Sequence, residues 1–288
     1  MQVTFGPQVA RRVLRYELER LHAQSGKTHA ESADRLGITR VGFTHIVNGR
    51  NLPSKPALEV LLGFFGRPDR LPMMQDLLAV AKLKSDRTTS VDQTGPASSM
   101  NDFELFVGLE AVATQIEVYE PLIVTGLLQT EAYARELIGY HATITLGVDV
   151  DASTELRMGR KESITRSENP AELWWIVEEQ ALRRPVGSSQ VMMAQLDHLL
   201  EMEKLPNVNI QVIPQSVGVH AALEGAFFML RFDDDGRVAY EETRRSAYYY
   251  DSPEAVEHYD KVMKHLRPTA LSPKRSRTLI SALRKELQ

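Results

Sequence analysis

The side chains best suited to contact nucleic acid lie between residues 28 and 50, THAESADRLGITRVGFTHIVNGR. An arginine such as Arg40 can donate two hydrogen bonds to the edge of a guanine, and Val41 can pack on a thymine methyl group. Threonine and histidine side chains can bond either a base edge or a phosphate. At helical spacing, five residues share one outward face: Arg40, Val41, Thr44, His45 and Asn48. This pattern predicts a helix that reads DNA bases.

Residues around this helix are suited to holding the DNA backbone. We expect Thr28, His29 and Thr39 at helix N-termini, where the helix dipole favours phosphate oxygens. Asn48 also lies at the end of the predicted reading helix, and Arg50 lies in the loop that follows. Both are expected to bind phosphate.

Three more arginines lie on the first predicted helix, and their role stays open at this point. Arg11 and Arg15 are one helical turn apart, with Arg12 beside them. They could flank the DNA backbone or simply form a solvated helix face.

Local sequence signals predict the helices that position these residues. Thr28 with Glu31 three residues later forms a capping box, so a helix begins there. Gly37 supplies the sharp turn that follows, because glycine tolerates positive φ. Thr39 can then cap a second helix. The side chains expected to face inward are Ala30, Ala33 and Leu36 on the first of these helices and Phe43, Ile46 and Val47 on the second.

Helical patterns fill the remainder of the first 84 residues, where we predict five helices and no strand. Val9, Val13, Leu14, Leu18 and Leu21 form one apolar stripe. Ser54 can cap a helix that ends at residue 65, with Pro56 in its first turn, and residues 73–83 give a further helix.

Charge and composition divide the chain. Residues 1–84 carry a net charge of +6 and residues 85–288 a net charge of −10, which favours a polyanion as partner of the front part only. Residues 85–100 are polar, contain Gly95-Pro96 and read as a linker. The prediction is therefore a DNA-binding domain at 1–84 and an α/β sensor and dimerisation domain at 101–288. The chain lacks cysteine and shows neither a signal peptide nor a membrane span, which favours the cytoplasm.

The second predicted domain alternates between strand and helix patterns. Five short segments rich in β-branched and aromatic residues predict strands at 115–119, 172–177, 208–213, 226–232 and 238–242. Helices are expected at 102–113, 130–139, 152–167, 189–204, 253–266 and 274–287. The last three strands follow one another without room for crossover helices, so we expect a mixed sheet with helices packed on it.

The front part resembles the lambda-repressor-like, xenobiotic-response-element (XRE) type of helix-turn-helix domain over residues 8–66. Ser32 departs from the family pattern, where an aliphatic residue is usual, and His29 stands where glutamine is common. The resemblance implies DNA binding by two-fold dimers on a palindromic operator. It is carried by Ala33, Leu36, Gly37, Ile38, Phe43, Ile46 and Asn48-Gly49.

Residues 103–280 resemble the C-terminal domain of unknown function found in many actinobacterial helix-turn-helix regulators, some with antitoxin-like labels. That resemblance implies a small companion protein as a partner, and it discloses no ligand. The phrases that carry it are Tyr119-Glu120-Pro121, residues 126–130, Tyr133-Ala134, residues 181–187, Gln195-Leu196, residues 206–208 and 211–214, and His220 before Gly225 and Phe227.

Polar residues after the predicted strands are the candidates for a ligand or partner site, since such sites gather in loops. They are Tyr119, Glu120, Arg183, Arg184 and His220. Arg183 and Arg184 could bind an anionic ligand, but an internal pair with Glu178 or Glu179 is favoured. Motifs for a nucleophile, a metal cluster or a phosphate loop are absent from the sequence, so we expect no catalytic residue, metal or cofactor.

Three functions fit these residues. The favoured one is a dimeric transcriptional regulator whose second domain senses a small-molecule effector or a protein. An antitoxin-like protein that mainly binds a companion protein is the alternative. An enzyme localised to DNA is disfavoured, because catalytic motifs are absent.

Overall fold

A computed structural model describes residues 2–83, 102–243 and 246–288. The chain forms two compact units. The first unit consists of Met1–Val112 and Tyr240–Ala255, and the second of Ala113–Ala239 and Val256–Gln288. The expected linker, residues 85–100, lies outside the described residues, so the predicted domain boundaries stay a prediction.

Helices build most of the first unit, and the five predicted in its front part are present. The long helix α1 packs against α5 and α6, and its predicted apolar stripe is buried. The helices are α1 (Pro7–Ser25), α2 (His29–Leu36), α3 (Arg40–Val47), α4 (Lys55–Phe64), α5 (Leu71–Ala81) and α6 (Asp102–Val112).

A short strand precedes these helices, so the prediction of no strand in this part is wrong. Strand β1 (Gln2–Thr4) pairs in parallel with β7 (Ser246–Tyr250) near the other end of the chain. A strand of three residues has no periodicity of its own. Its pairing with residues more than 240 positions away is not visible in the local sequence.

The second unit contains the predicted mixed sheet. Strands β2 (Gln115–Tyr119), β3 (Glu172–Glu178) and β4 (Val208–Ile213) run parallel, and β5 (Phe227–Arg231) pairs antiparallel with β2. The order within this unit is β5-β2-β3-β4. Strand β6 (Arg237–Glu242) follows β5 through a hairpin turn and crosses the division between the units. All five predicted strands are thus present, and β1 and β7 are additional.

Helix α10 was not predicted, and the predicted helices around this sheet are present except at residues 152–167. There the expected single helix is broken after Gly159, a poor helix former, into two. The helices are α7 (Glu131–Ile144), α8 (Val150–Gly159), α9 (Glu162–Thr165), α10 (Glu179–Arg183), α11 (Ser189–Met202), α12 (Pro253–Thr269), which starts in the first unit, and α13 (Pro273–Glu286). Within the described part of the chain, none is long and apolar enough to cross a membrane.

Candidate DNA-binding surface and second-unit site

Helices α2 and α3 are joined by the predicted turn. The Thr28 hydroxyl accepts a hydrogen bond from Glu31 N at 3.2 Å, and Thr28 N donates to the Glu31 carboxylate at 2.8 Å, which completes the capping box. Gly37 ends α2 with φ of +66°, in the left-handed region. The Thr39 hydroxyl then accepts from Gly42 N at 3.0 Å and starts α3. These contacts form a helix-turn-helix in the predicted register.

The inner faces of the two helices differ in part from the prediction. Ala33, Phe43 and Val47 are buried as expected. Ala30, by contrast, is exposed, and Ser32 is fully buried. The short helix α2 is therefore turned so that the position usually aliphatic in the family faces the core. Leu36 and Ile46, also expected inside, are partly exposed.

The outer face of α3 is open at its N-terminal end. Arg40 is exposed and Val41 is 63% exposed. Neither the Arg40 guanidinium nor the His45 ring forms a hydrogen bond or ion pair with another residue that the structure describes. These side chains are therefore available to an external partner.

Two other predicted contact residues bind each other. His29 Nδ1 lies 2.9 Å from Thr44 Oγ1, and the Thr44 hydroxyl donates to the backbone oxygen of Arg40 at 3.0 Å. The His29 ring also packs edge-on against Phe43. These contacts fasten α3 to α2, so the expected DNA contacts of His29 and Thr44 stay a prediction.

The two helix N-termini are not equally suited to phosphate. At the N-terminus of α2, the Glu31 carboxylate accepts hydrogen bonds from the Thr28 amide and hydroxyl, and these hydrogen bonds lower the Glu31 pKa. The carboxylate therefore stays ionised and would repel a phosphate at Thr28. Residues 40–43, the first turn of α3, include no acidic residue. Thr39 at the start of α3 is thus the better phosphate position.

A groove that the sequence did not predict lies beside α3. Arg11, Arg35 and Arg50 line it together with Ile46, and none of its described lining residues is acidic. Arg50 therefore lies in a basic environment, consistent with its expected phosphate contact. Asn48 Oδ1 accepts from Arg50 N at 3.3 Å and shapes this loop.

Two arginines on α1 form contacts within the first unit. Arg11 Nε donates to Ala81 O at 2.9 Å, and Arg15 Nε pairs with Glu19 at 3.2 Å. A Cβ at Gly49, where φ is +75°, would lie 3.1 Å from the Arg15 side chain, so these residues pack closely. These contacts favour a structural role for Arg11 and Arg15.

A buried histidine behind α3 was not singled out by the sequence. The His22 ring lies 4.9 Å from the His29 ring and 5.2 Å from the Phe43 ring, centroid to centroid. Burial lowers the His22 pKa, and the neighbouring His29 lowers it further. The only sequence signal was a histidine next to Leu21 on the buried stripe of α1.

In the second unit, the structure brings Tyr119 and His220 together through a third residue. The Tyr119 hydroxyl donates to Glu178 Oε1 at 2.9 Å, and His220 Nε2 lies 2.9 Å from the same oxygen. The His220 side chain is only 3% exposed. Burial and the Glu178 charge raise the pKa of Tyr119, so its phenol stays protonated and donates. This cluster ties the loop after β4 to the ends of β2 and β3.

The two predicted arginines of that unit do not join this cluster. Arg183 pairs with Glu179 and Glu286, each at 2.7 Å, which confirms the favoured internal pair for this arginine. Arg184 is exposed, and its guanidinium forms no hydrogen bond with another described residue. Glu120 accepts a hydrogen bond from Leu122 N at 3.1 Å.

The fold and the exposed α3 define a helix-turn-helix protein with a second domain built on a mixed sheet. Residues 13–71 match the family described as helix-turn-helix domain, and residues 103–282 match the domain of unknown function DUF5753. The second match covers more than half of the chain, so the chain belongs to the DUF5753 family. The helix-turn-helix domain indicates DNA as a partner and a regulatory role. No curated protein and no solved structure matches the chain.

Proposed function

We propose that this protein is a sequence-specific transcriptional regulator that binds a two-fold-related, palindromic operator as a homodimer. The observation that carries the proposal is the two-sided character of α3. Phe43 and Val47 fix its inner face in the core, while Arg40 and Val41 stand exposed on the other side. A helix held in this way can enter the major groove without rearrangement of the domain.

The recognition mechanism follows from the side chains on the exposed face of α3. Arg40 hydrogen-bonds a guanine, Val41 packs on a thymine methyl group, and His45 bonds a base edge or a phosphate. Thr39 at the N-terminus of α3 and Arg50 in the following loop hold the DNA backbone. The backbone contacts set the position of α3, and the base contacts give specificity.

The second domain dimerises and receives the signal in this proposal. A small molecule or a protein that binds it changes the spacing or orientation of the two recognition helices of the dimer. We assign it no catalytic function. In the Tyr119–Glu178–His220 cluster, the phenol hydroxyl and the imidazole Nε2 both lie 2.9 Å from Glu178 Oε1, and the cluster serves to hold a loop.

The alternative function is that of an antitoxin-like protein whose second domain mainly binds a small companion protein. Exposed apolar side chains favour it: Tyr140 and Ile144 lie one turn apart on α7, with Leu146 just beyond. A monodisperse complex with a small companion, abolished by Ile144→Glu, would support this function. Unchanged complex formation by that variant would remove the support.

The test of the proposed function removes the Arg40 guanidinium. We expect Arg40→Ala to lose about 1–3 kcal/mol of discrimination at one base pair in each half-site, with folding intact. The measurement is a titration of each operator base substitution by fluorescence anisotropy at a fixed salt concentration.

The matched control is Arg67→Ala, which removes the same charge from the same unit. Arg67 is bonded to Asp69 at 2.9 Å and does not belong to α3. This variant should change binding to operator and random DNA alike. An equal loss on operator and random DNA in Arg40→Ala would contradict base reading by Arg40.

A further inference from the structure

The apolar stripe of helix α7 continues beyond the point where the second unit covers it. Tyr133, Leu137, Tyr140 and Ile144 follow one another at steps of four, three and four residues, so they share one face of the helix. Tyr133 is fully buried and Leu137 is partly exposed, whereas Tyr140 is 74% exposed and Ile144 is 69% exposed. The second half of the stripe therefore faces solvent in the single chain.

Helix α8 does not reach the exposed end of α7. Arg135 Nη1 donates to Asp151 Oδ1 at 2.5 Å, and Arg157 Nη1 donates to Gln129 Oε1 at 3.2 Å. Helix α8 thus starts beside Arg135 and runs back towards the residues that precede α7. None of residues 139–148 is buried. The end of α7 therefore projects from the unit, and the described residues leave it uncovered.

Three large apolar side chains form a patch on this projecting end. We call Tyr140, Ile144 and Leu146 the α7 end patch. Leu146 lies in the turn just after the helix and is fully exposed. The Thr143 hydroxyl between them donates to the backbone oxygen of Tyr140 at 2.7 Å, so it is already satisfied. Large apolar side chains gathered on an exposed surface usually mark an interaction site.

The distribution of charge favours a second copy of this chain as the occupant of the patch. Residues 137–148 contain no Lys, Arg, Asp or Glu, while residues 85–288 carry a net charge of −10. Because like charges repel across an interface, two copies of this acidic region associate best through a surface without charge. A basic partner would instead be attracted to the acidic surface elsewhere. An uncharged apolar patch is compatible with itself, as a two-fold interface requires.

We propose that the α7 end patch is the interface of the homodimer, where it packs on the same patch of a second copy. In such a two-fold contact the two α7 ends cross, and Tyr140 of one subunit packs on Ile144 of the partner subunit. A standard interface covers about 800 Å² on each partner, and a few central residues, often tyrosine, supply most of the affinity. The inference deepens the proposed function and rests on it, because it names the surface by which the second domain dimerises.

Sedimentation velocity of the full-length protein without DNA tests this interface. We expect the native protein to show a reversible monomer–dimer equilibrium. Ile144→Glu should raise the dissociation constant of the dimer at least about tenfold, since each subunit then buries a carboxylate in the apolar contact. Leu146→Glu should act in the same direction. Both positions are exposed in the single chain, so the far-ultraviolet circular dichroism spectra should stay native.

Leu223→Glu is the matched control, because it adds the same charge at another exposed apolar residue of the second unit. Leu223 is 62% exposed, close to the value for Ile144, and it lies in the loop after β4. Its dimer should be as stable as the native one. Equal weakening by this variant would assign the effect to added negative charge alone and would overturn the inference.

Three further outcomes would also overturn it. The first is a native protein that stays monomeric over the whole concentration range of the DNA-binding assay. The second is a native-like dimer in Leu146→Glu, which lies outside the helix and decides the point even if Ile144→Glu fails to fold. The third is a monomer that binds a small companion protein through this patch, which is the alternative function.

DNA binding by the same preparations separates this inference from the proposed function. Sequence-specific binding to a two-fold operator by a dimer that both variants leave intact would refute the α7 end patch alone. A native dimer that both variants dissociate, but that binds no DNA sequence specifically, would refute the proposed function alone.

Discussion

Two polar side chains lie in the helix-turn-helix core with buried atoms that make no hydrogen bond to the described residues. They are Ser32, whose Oγ is unpartnered, and His22, whose Nε2 is unpartnered. Each atom loses water on folding and gains no partner. At Ser32, an apolar residue of similar volume would therefore make the domain more stable.

Replacement of Ser32 by alanine should therefore stabilise the protein. We expect Ser32→Ala to raise the free energy of unfolding by about 1 kcal/mol, because the buried hydroxyl is removed with little change in volume. Urea unfolding followed by circular dichroism measures this. The control Ser54→Ala should instead lower stability by about 1 kcal/mol, since the Ser54 hydroxyl caps α4 at Ala57 N. Destabilisation by Ser32→Ala would show that this hydroxyl has a partner.

The burial of His22 makes the stability of the protein depend on pH. The folded-state pKa of His22 lies below its ordinary value of 6.5, so the unfolded chain binds a proton more readily. Stability is therefore unaffected above that pH and falls as pH drops through 6.5 towards the folded-state pKa. We expect thermal scans between pH 8 and pH 5 to show this loss.

The variant His22→Phe should reduce that loss, because phenylalanine suits a site bounded by the rings of Phe43 and Phe65 and does not titrate. Part of the dependence should persist, because His198 in the second unit also has a lowered pKa. His45→Gln, on the partly exposed face of α3, is the control. A pH profile of His22→Phe parallel to that of the native protein would contradict the assignment.

At the scale of elements, the N-terminus of α1 is capped by a residue far away in the sequence. Gly6 precedes α1 and offers no side chain, and the Asp251 carboxylate accepts hydrogen bonds from the backbone of Gln8 and Val9. A Cβ at Gly6 would lie 2.6 Å from an Asp251 oxygen, so glycine is needed for this approach.

Removal of this cap should destabilise the first unit. We expect Asp251→Ala to lower the free energy of unfolding by about 0.5–2 kcal/mol, the usual cost of a lost helix cap. Asp251→Asn keeps an acceptor oxygen and should cost less. Chemical denaturation of both variants decides the point, and equal stability of Asp251→Ala and the native protein would show that Asp251 does not cap α1.

The turn between α2 and α3 requires glycine at residue 37 because of the backbone conformation there, and not because a larger side chain would clash. A Cβ at Gly37 would meet nothing within 4 Å, but φ there is +66°. Gly37→Ala should thus cost about 1–2 kcal/mol, the strain of a left-handed residue, and Gly37→Asn should cost less because asparagine tolerates this region. Thermal unfolding of the two variants tests the order. A larger cost for asparagine would contradict the turn geometry.

Most elements were predictable from the sequence because their signals are local. The capping box at Thr28, the turn at Gly37 and the five strands between residues 115 and 242 agree with the structure. Strand β1 and the Asp251 cap could not be predicted, because each depends on a partner more than 240 positions away.

The candidate sites were predicted less completely than the fold. Outward positions of α3 such as Arg40 and Val41 follow from helical spacing and are exposed. The role of Glu178 as the link between Tyr119 and His220 was missed, because the three residues meet only when β2, β3 and a distant loop are assembled.

At the scale of the whole molecule, charge separates the two ends of the chain. Residues 1–84 carry a net charge of +6 against −10 for the remainder. The basic helix-turn-helix region attracts the DNA phosphates, and the acidic remainder of the chain repels them. Non-specific electrostatic attraction of DNA is therefore confined to the helix-turn-helix region. In the proposed function, specific binding depends on the contacts of α3 in each subunit of the homodimer.

Selection of bound sequences from random duplex DNA by the purified full-length protein, at a fixed salt concentration, tests this claim most directly. We predict enrichment of a site with two-fold symmetry whose half-sites lie about one helical turn apart. Arg40→Ala should lose preference at one base pair of each half-site. Binding that depends on salt alone, without any enriched sequence, would contradict the account.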